Sequence, residues 1–399
     1  MRATAAFVVG LSAGGIATAS SLHQQHIRDT PGCGKKHNGS DSTFPGSLVS
    51  GGMQRNYSIH LPANYSADDP HPLVLGFHGS SSIGLFFEAD THFSDVADRT
   101  GDGVIMVYPD GIGGAWAGAN YSAATVRQDL DFVLDLLSDL RHQYCIDNDK
   151  IFATGMSIGG GFVDTIACNE TVGGEFAGFA PVAGAFYTDN DENYKKCEPS
   201  KPVYMMSFNG DKDDSVPYDG GEGSGGELPA IPEWLDRWAD RLGCDQSTYT
   251  RESADKSYET EYWNCRKEGR LVHLKLAGRH HSWPSDEPNF SQQLAGDKPS
   301  SFDAANVILN FFLQPNWRDP NWSPEEAGAN VPGAEETGTT PAAESTTAAE
   351  TGTTTTSSGS ATKSATASTA EASPDAGSCL GLDMRVASLV LLLQLLLRT

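Results

Sequence analysis

The run from Ile151 through Gly155-Met156-Ser157-Ile158-Gly159 to Cys168 constrains this chain more than any other segment. A short stretch with strand character, 151–154, leads directly into G-x-S-x-G. A helix-compatible segment, 160–168, follows it. A chain that passes from strand to helix over so few residues brings backbone atoms too close for side chains beside the apex, and Gly155 and Gly159 remove them. Ser157 at the apex then projects at the edge of a sheet, close to a helix N-terminus. The backbone N–H of Ile158 is aimed at any negative charge developing next to the serine oxygen. Alone the pattern says little, because 43 of the 399 residues are glycine. Its position between strand and helix gives it force.

Other apolar runs of strand length occur at 57–61, 72–77, 104–108, 179–183, 203–208 and 271–276. Helical spacing appears over 129–140, where Leu130, Val133, Leu134, Leu137 and Leu140 share a face, and again over 232–242 and 304–313. Strands alternating with helices predict an α/β fold, a mostly parallel central sheet with helices on both faces. Such sheets bind ligands beyond the carboxyl ends of their strands. The residues with chemical potential lie on loops at those ends.

A serine hydroxyl needs a base. His281 follows the strand expected at 271–276 and is the leading candidate, with its neighbour His280 the alternative; His273, inside the strand pattern, reads as structural. A carboxylate that orients the imidazole is expected after the strand at 203–208, where Asp211, Asp213 and Asp214 all qualify. A second oxyanion donor is expected in the loop after 72–77, at the N–H of Ser80, and His78 beside it reads as loop packing. Trp116 and Trp283 are candidate walls of an acyl pocket, the competing reading being ordinary core packing. No clustered metal site and no cofactor motif is visible, so neither is expected.

These blocks, taken in order, resemble a known family. Leu73 to His78-Gly79, Tyr144-Cys145-Ile146-Asp147 ahead of the serine turn, Asp213 to Val216-Pro217-Tyr218, His281-Ser282-Trp283-Pro284, and Cys33-Gly34-Lys35 are similar to the fungal feruloyl esterases. The polyhydroxybutyrate-depolymerase-like esterases and some acetylxylan esterases share the pattern. The resemblance covers about residues 30–315 and implies an α/β-hydrolase fold. It implies Ser157 as nucleophile, His281 as base and, four residues before Pro217, Asp213 as the acid. The family has His-Gly before this aspartate, whereas Asn209-Gly210 stands here. The implied substrate is a feruloyl ester on plant cell-wall polysaccharide, with acetylxylan and hydroxyalkanoate esters as runners-up. A hydrolase-like wall protein without activity, retained for carbohydrate binding, is the alternative from another class.

The two ends read differently. Residues 1–19 combine Arg2, an apolar run and Ala17-Thr18-Ala19, the features of a signal peptide. The esterase domain is expected at 22–322. A Ser/Thr-rich stalk without aromatic residues follows at 323–376, too polar to bury a core and suited to O-glycosylation. Small residues, a polar spacer and a short apolar tail at 377–399 match a GPI-anchor signal, so membrane contact is expected only through an anchor. Six cysteines fall in the domain, and an even number in a secreted chain points to three disulfides. Fifteen connectivities are possible; Cys244–Cys265 is favoured, with Cys168–Cys197 and Cys33–Cys145 for the remainder. Seven Asn-x-Ser/Thr sequons, at Asn38, Asn56, Asn64, Asn120, Asn169, Asn289 and Asn321, fit an exported glycoprotein. The domain holds 43 acidic and 23 basic residues, a balance of −20, which argues against nucleic acid as a partner.

Overall fold

The computed structural model describes residues 30–313, apart from 38, 191–192, 266–268 and the side chains of 194, 245–249 and 264. The expected signal peptide, stalk and anchor signal lie outside the described residues. In chain order the elements are β1 (Ser42–Ser50), β2 (Met53–Leu61), β3 (His71–Phe77), α1 (Gly84–Thr91), α2 (Phe93–Arg99), β4 (Ile105–Pro109), α3 (Val126–Gln143), β5 (Ile146–Met156), α4 (Ile158–Cys168) and α5 (Glu170–Gly173). There follow β6 (Gly178–Val182), β7 (Tyr204–Gly210), β8 (Gly221–Gly223), β9 (Gly226–Leu228), α6 (Ile231–Leu242), β10 (Cys244–Glu252), β11 (Tyr258–Cys265), β12 (Arg270–Leu276), α7 (Phe290–Ala295) and α8 (Ala304–Leu313).

Among the described residues, ten strands form one sheet in the order β1-β2-β4-β3-β5-β6-β7-β12-β11-β10. Its centre, β4-β3-β5-β6-β7-β12, is parallel throughout. Antiparallel strands close both edges. Alternate residues of the central strands face opposite sides. Leu73, Leu75 and Phe77 pack with α3, α4 and α6, whereas Val74, Met106 and Phe208 pack with α1, α2 and α8. Both faces are therefore covered, as the continuous apolar runs require. This is the α/β-hydrolase architecture expected from the alternation.

Local signals set the helix limits. Thr125 and Gln128 form a reciprocal capping box at the start of α3. Gly243, at φ 62°, ends α6 in the left-handed conformation that glycine tolerates best. The three disulfides are Cys33–Cys145, Cys168–Cys197 and Cys244–Cys265, as expected. The last joins directly paired residues of β10 and β11 at the sheet's edge. Cross-links of this number fit an oxidising, extracellular compartment.

Candidate active site

Ser157 sits between β5 and α4 at φ 59°, ψ −126°, a backbone conformation costly for any residue with a Cβ. Three hydrogen bonds hold it there. Its N–H donates to the Val182 carbonyl (3.0 Å), and its carbonyl accepts from the N–H groups of Ala185 (2.9 Å) and Gly161 (3.0 Å). The flanking glycines are needed for close approach. A Cβ on Gly155 would lie 2.7 Å from the Phe77 carbonyl oxygen, and one on Gly159 only 2.2 Å from it. Residues 151–156 and 158–167 are buried, and Ser157 between them is partly exposed. As the first residue of α4, Ile158 has an N–H with no intrahelical partner.

The loops after β7 and β12 are joined side by side. Asp211 N–H donates to the Leu276 carbonyl (3.0 Å), and Lys212 N–H to that of Arg279 (3.0 Å). Gly278 N–H donates to Asp211 Oδ1 (2.7 Å). A Cβ on Gly210 would meet the Arg279 carbonyl oxygen at 2.1 Å, so only glycine lets the loops close this far. Beyond this contact, His281 Nδ1 donates to Asp213 Oδ2 at 2.7 Å. Asp213 Oδ1 accepts from the N–H groups of Ser215 (2.8 Å) and Val216 (2.7 Å). The carboxylate is thus buried, fixed and fully engaged. With the proton on Nδ1, the opposite ring nitrogen of His281 is left as the acceptor.

The residues that sequence left undecided now separate. Asp213 meets His281, Asp211 binds the neighbouring loop, and Asp214 is exposed. His280 turns to Asp297 (2.9 Å). His273 is wholly buried, sharing hydrogen bonds with Ser207 Oγ (2.8 Å) and Tyr218 Oη (3.0 Å).

The loop after β3 runs against Ser157: a Cβ placed on Gly79 would lie 3.4 Å from the Ser157 Cβ. His78 does more there than fill space. Its Nε2 receives the Gly111 N–H (2.9 Å), so its proton is on Nδ1 and donates to the Gly79 carbonyl (2.7 Å). Burial pushes the imidazole down to about 4, which keeps it neutral. In a trans peptide the N–H points opposite the C=O, so the Ser80 N–H is turned away from His78. Ser80 is exposed, and its hydroxyl shares a hydrogen bond with Tyr121 Oη at 2.5 Å.

The expectation for Trp116 and Trp283 is corrected. Both are completely buried. Trp116 stacks on Phe162 (5.0 Å) and lies edge-on to Phe77 (5.0 Å), while Trp283 packs edge-on against Phe87 (5.5 Å). Neither ring has a surface left for an acyl group, so both are core. Tyr121, which sequence reasoning passed over, is 44% exposed. Its signal was an aromatic residue in a glycine-rich loop following a strand.

Among the described residues, Asp164, Cys168 and Asp189 lie close enough to suggest a metal site. Cys168, however, is in a disulfide, and Asp189 receives both terminal nitrogens of Arg241 (2.7 Å each). Those donors are committed, and the cluster carries no metal reading.

No family model matches the chain. The chain is 24% identical over 256 residues to the Aspergillus niger protein named probable feruloyl esterase C, covering 62% of this chain and 83% of that protein. It is 26% identical over 263 residues to a bifunctional acetylxylan esterase/xylanase of Neocallimastix patriciarum, covering 63% of this chain and 35% of that protein. This chain is a relative of the feruloyl and acetylxylan esterases. It is a carboxylic ester hydrolase. Among solved structures, the esterase matches an acetyl xylan esterase from Aspergillus awamori at 17% identity and a TM-score of 0.45, over 60% of this chain and 94% of the other.

Proposed function

We propose that this esterase is exported, tethered to the cell surface by a GPI anchor on a Ser/Thr-rich stalk, and releases ferulate from plant cell-wall polysaccharide. Ser157 Oγ attacks the ester carbonyl carbon as His281 takes its proton on the free ring nitrogen. The N–H groups of Ile158 and Ser80 hold the oxyanion. The carbon–oxygen bond to the polysaccharide breaks, and the imidazolium returns its proton to the leaving alcohol oxygen. Water, deprotonated by His281, then attacks the acyl-enzyme and regenerates Ser157. Asp213 keeps the Nδ1–H tautomer and stabilises the imidazolium.

The observation that carries this reading is the 2.7 Å contact between His281 and a buried Asp213, on the same end of the sheet as a serine at positive φ. The relatives named feruloyl esterase favour the acyl group, and the Neocallimastix patriciarum relative makes acetylxylan the second reading. The test is hydrolysis of methyl ferulate, p-nitrophenyl acetate and a 3-hydroxybutyrate ester by the secreted protein, with Ser157→Ala as control. Preference for methyl ferulate, lost in the variant, supports the proposal. Acetate or hydroxybutyrate turnover alone moves the substrate to a runner-up. No turnover of any ester, with no covalent labelling of Ser157 by a fluorophosphonate, leaves a non-catalytic wall protein.

A further inference from the structure

We propose that Tyr121 is the substrate-facing wall of the site and selects an extended aromatic acyl group. This deepens the reading of Ser157 as nucleophile and rests on it. With Trp116 and Trp283 in the core, the aromatic face near the site must come from elsewhere. Tyr121 as a residue is 44% exposed. Its hydroxyl is bound to Ser80 Oγ at 2.5 Å, one residue along from Gly79, which passes against Ser157. Tyrosine offers an apolar ring and a polar tip, and here the tip is held by Ser80 while the residue is partly open to solvent.

The loop that carries Tyr121 is anchored at several points. Ala117 N–H donates to Asp129 Oδ2 (2.8 Å), and Asp129 is paired with Arg55 (2.9 Å). Ser122 Oγ donates to the Trp116 carbonyl (2.5 Å), and Asn120 N–H to that of Gly225 in the β8–β9 turn (2.8 Å). Tyr187 closes the far side, its hydroxyl taking the Gly225 N–H (3.0 Å). A ring held this way is ordered before any ligand arrives, so little freedom is lost on binding. An acetyl group ends one bond beyond the carbonyl. A planar arylpropenoyl group extends several bonds further, and length and flatness are what a ring tied to the Gly79–Ser80 loop would select.

The test uses the secreted full-length protein with Tyr121→Ala and Tyr121→Phe. Fluorophosphonate labelling rates and the kcat and KM values for methyl ferulate and p-nitrophenyl acetate are measured. Tyr121→Ala is expected to raise KM for methyl ferulate about 10-fold while acetate KM and labelling stay within about 2-fold. Tyr121→Phe, which retains the ring but loses the bond that fixes its tip, is expected to raise the ferulate KM by no more than about 3-fold, well short of Tyr121→Ala. If Tyr121→Ala loses labelling, Tyr121→Leu is read by the same ratio of KM values. Equal changes on both esters, an unchanged ferulate KM, or a labelled wild type that ignores methyl ferulate would overturn the assignment. A wild type that is not labelled overturns the catalytic reading, and this one falls with it.

Discussion

His273 and His281 lie eight residues apart on either side of the end of one strand. His273, within β12, shares a hydrogen bond with a serine hydroxyl at 2.8 Å, the sort of pair sought in a hydrolase. Its other partner is the Tyr218 phenol, not a carboxylate, and the ring is fully buried. Burial, with Lys275 adding to it, drives the imidazole down to about 3. His281, in the loop beyond, faces a fixed carboxylate and keeps part of its surface open. A serine–histidine contact is therefore not a catalytic device by itself. Access for a carbonyl and a partner for the imidazolium separate the two.

Substitution at each pair tests that contrast, and the accessible pair should respond most strongly. Ser157→Ala and His281→Ala are each expected to lower kcat by about 10⁴-fold or more, read by methyl ferulate hydrolysis. Ser207→Ala is expected to leave kcat within about 3-fold and lower Tm by about 5 °C, since it strips a buried partner from His273. Equal losses at Ser157 and Ser207 would erase the distinction.

The carboxylates come next. Asp213→Asn is expected to cost about 10³–10⁴-fold in kcat through the wrong tautomer at His281. Asp211→Asn, which only weakens one loop contact, is expected to cost less than about 10-fold. A reversal of that order would move the acid to Asp211.

The pH dependence of stability reads the core directly. Because His273 is depressed from 6.5 to about 3, the unfolded chain takes the proton first as pH falls. Stability from the neutral ring is present above 6.5 and is lost on acidification toward about 3. Asp164 runs the opposite way. Burial, then Asp189, raises it from 3.8 to about 7, so its contribution is complete below 3.8 and is lost as pH rises through about 7. Tm measured from pH about 4 to 8 is expected to flatten on the acid side in His273→Gln and on the upper side in Asp164→Asn. Neither should move the pH profile of kcat, because neither residue belongs to the candidate active site.

The smallest effect separates the sequons. Asn289 is buried, caps α7 and donates to the Trp283 carbonyl at 3.0 Å, whereas Asn56, Asn64 and Asn120 are exposed. Asn289→Gln is expected to lower Tm by a few degrees, about the loss of one helix cap, with no change in glycan mass. Asn64→Gln is expected to do the reverse in intact-mass spectra.

What was legible in sequence follows from which forces leave local marks. The glycines around Ser157 register a steric demand, and the runs 72–77 and 203–208 register burial on both faces. Polar edge strands leave weaker traces: β1, β10 and β11 carry few consecutive apolar residues and were not anticipated. Helix α1 has Ile83 at its N-cap, with no side-chain hydrogen bond, so its start had no marker. The three aspartates after β7 were equivalent by type. Backbone N–H groups and loop closure distinguish them, and those depend on tertiary contacts. For Trp116 and Trp283 pocket wall and core packing were both open, because neither a glycine-rich loop nor proximity to His281 says which way a ring turns.

The joined loops after β7 and β12 have one more consequence. Asp213 and His281 stand 68 residues apart in sequence, yet neighbouring parallel strands deliver them to one point. Everything between, including the β8–β9 hairpin that touches Ala119 and Tyr187, departs from and returns to that fixed frame. For protein engineers the β8–β9 hairpin, rather than the helix and sheet strands that follow it, is the exchangeable part. Grafting a longer or shorter hairpin there would reshape the loops beside Ala119 and Tyr187 while the acid and base stay in register.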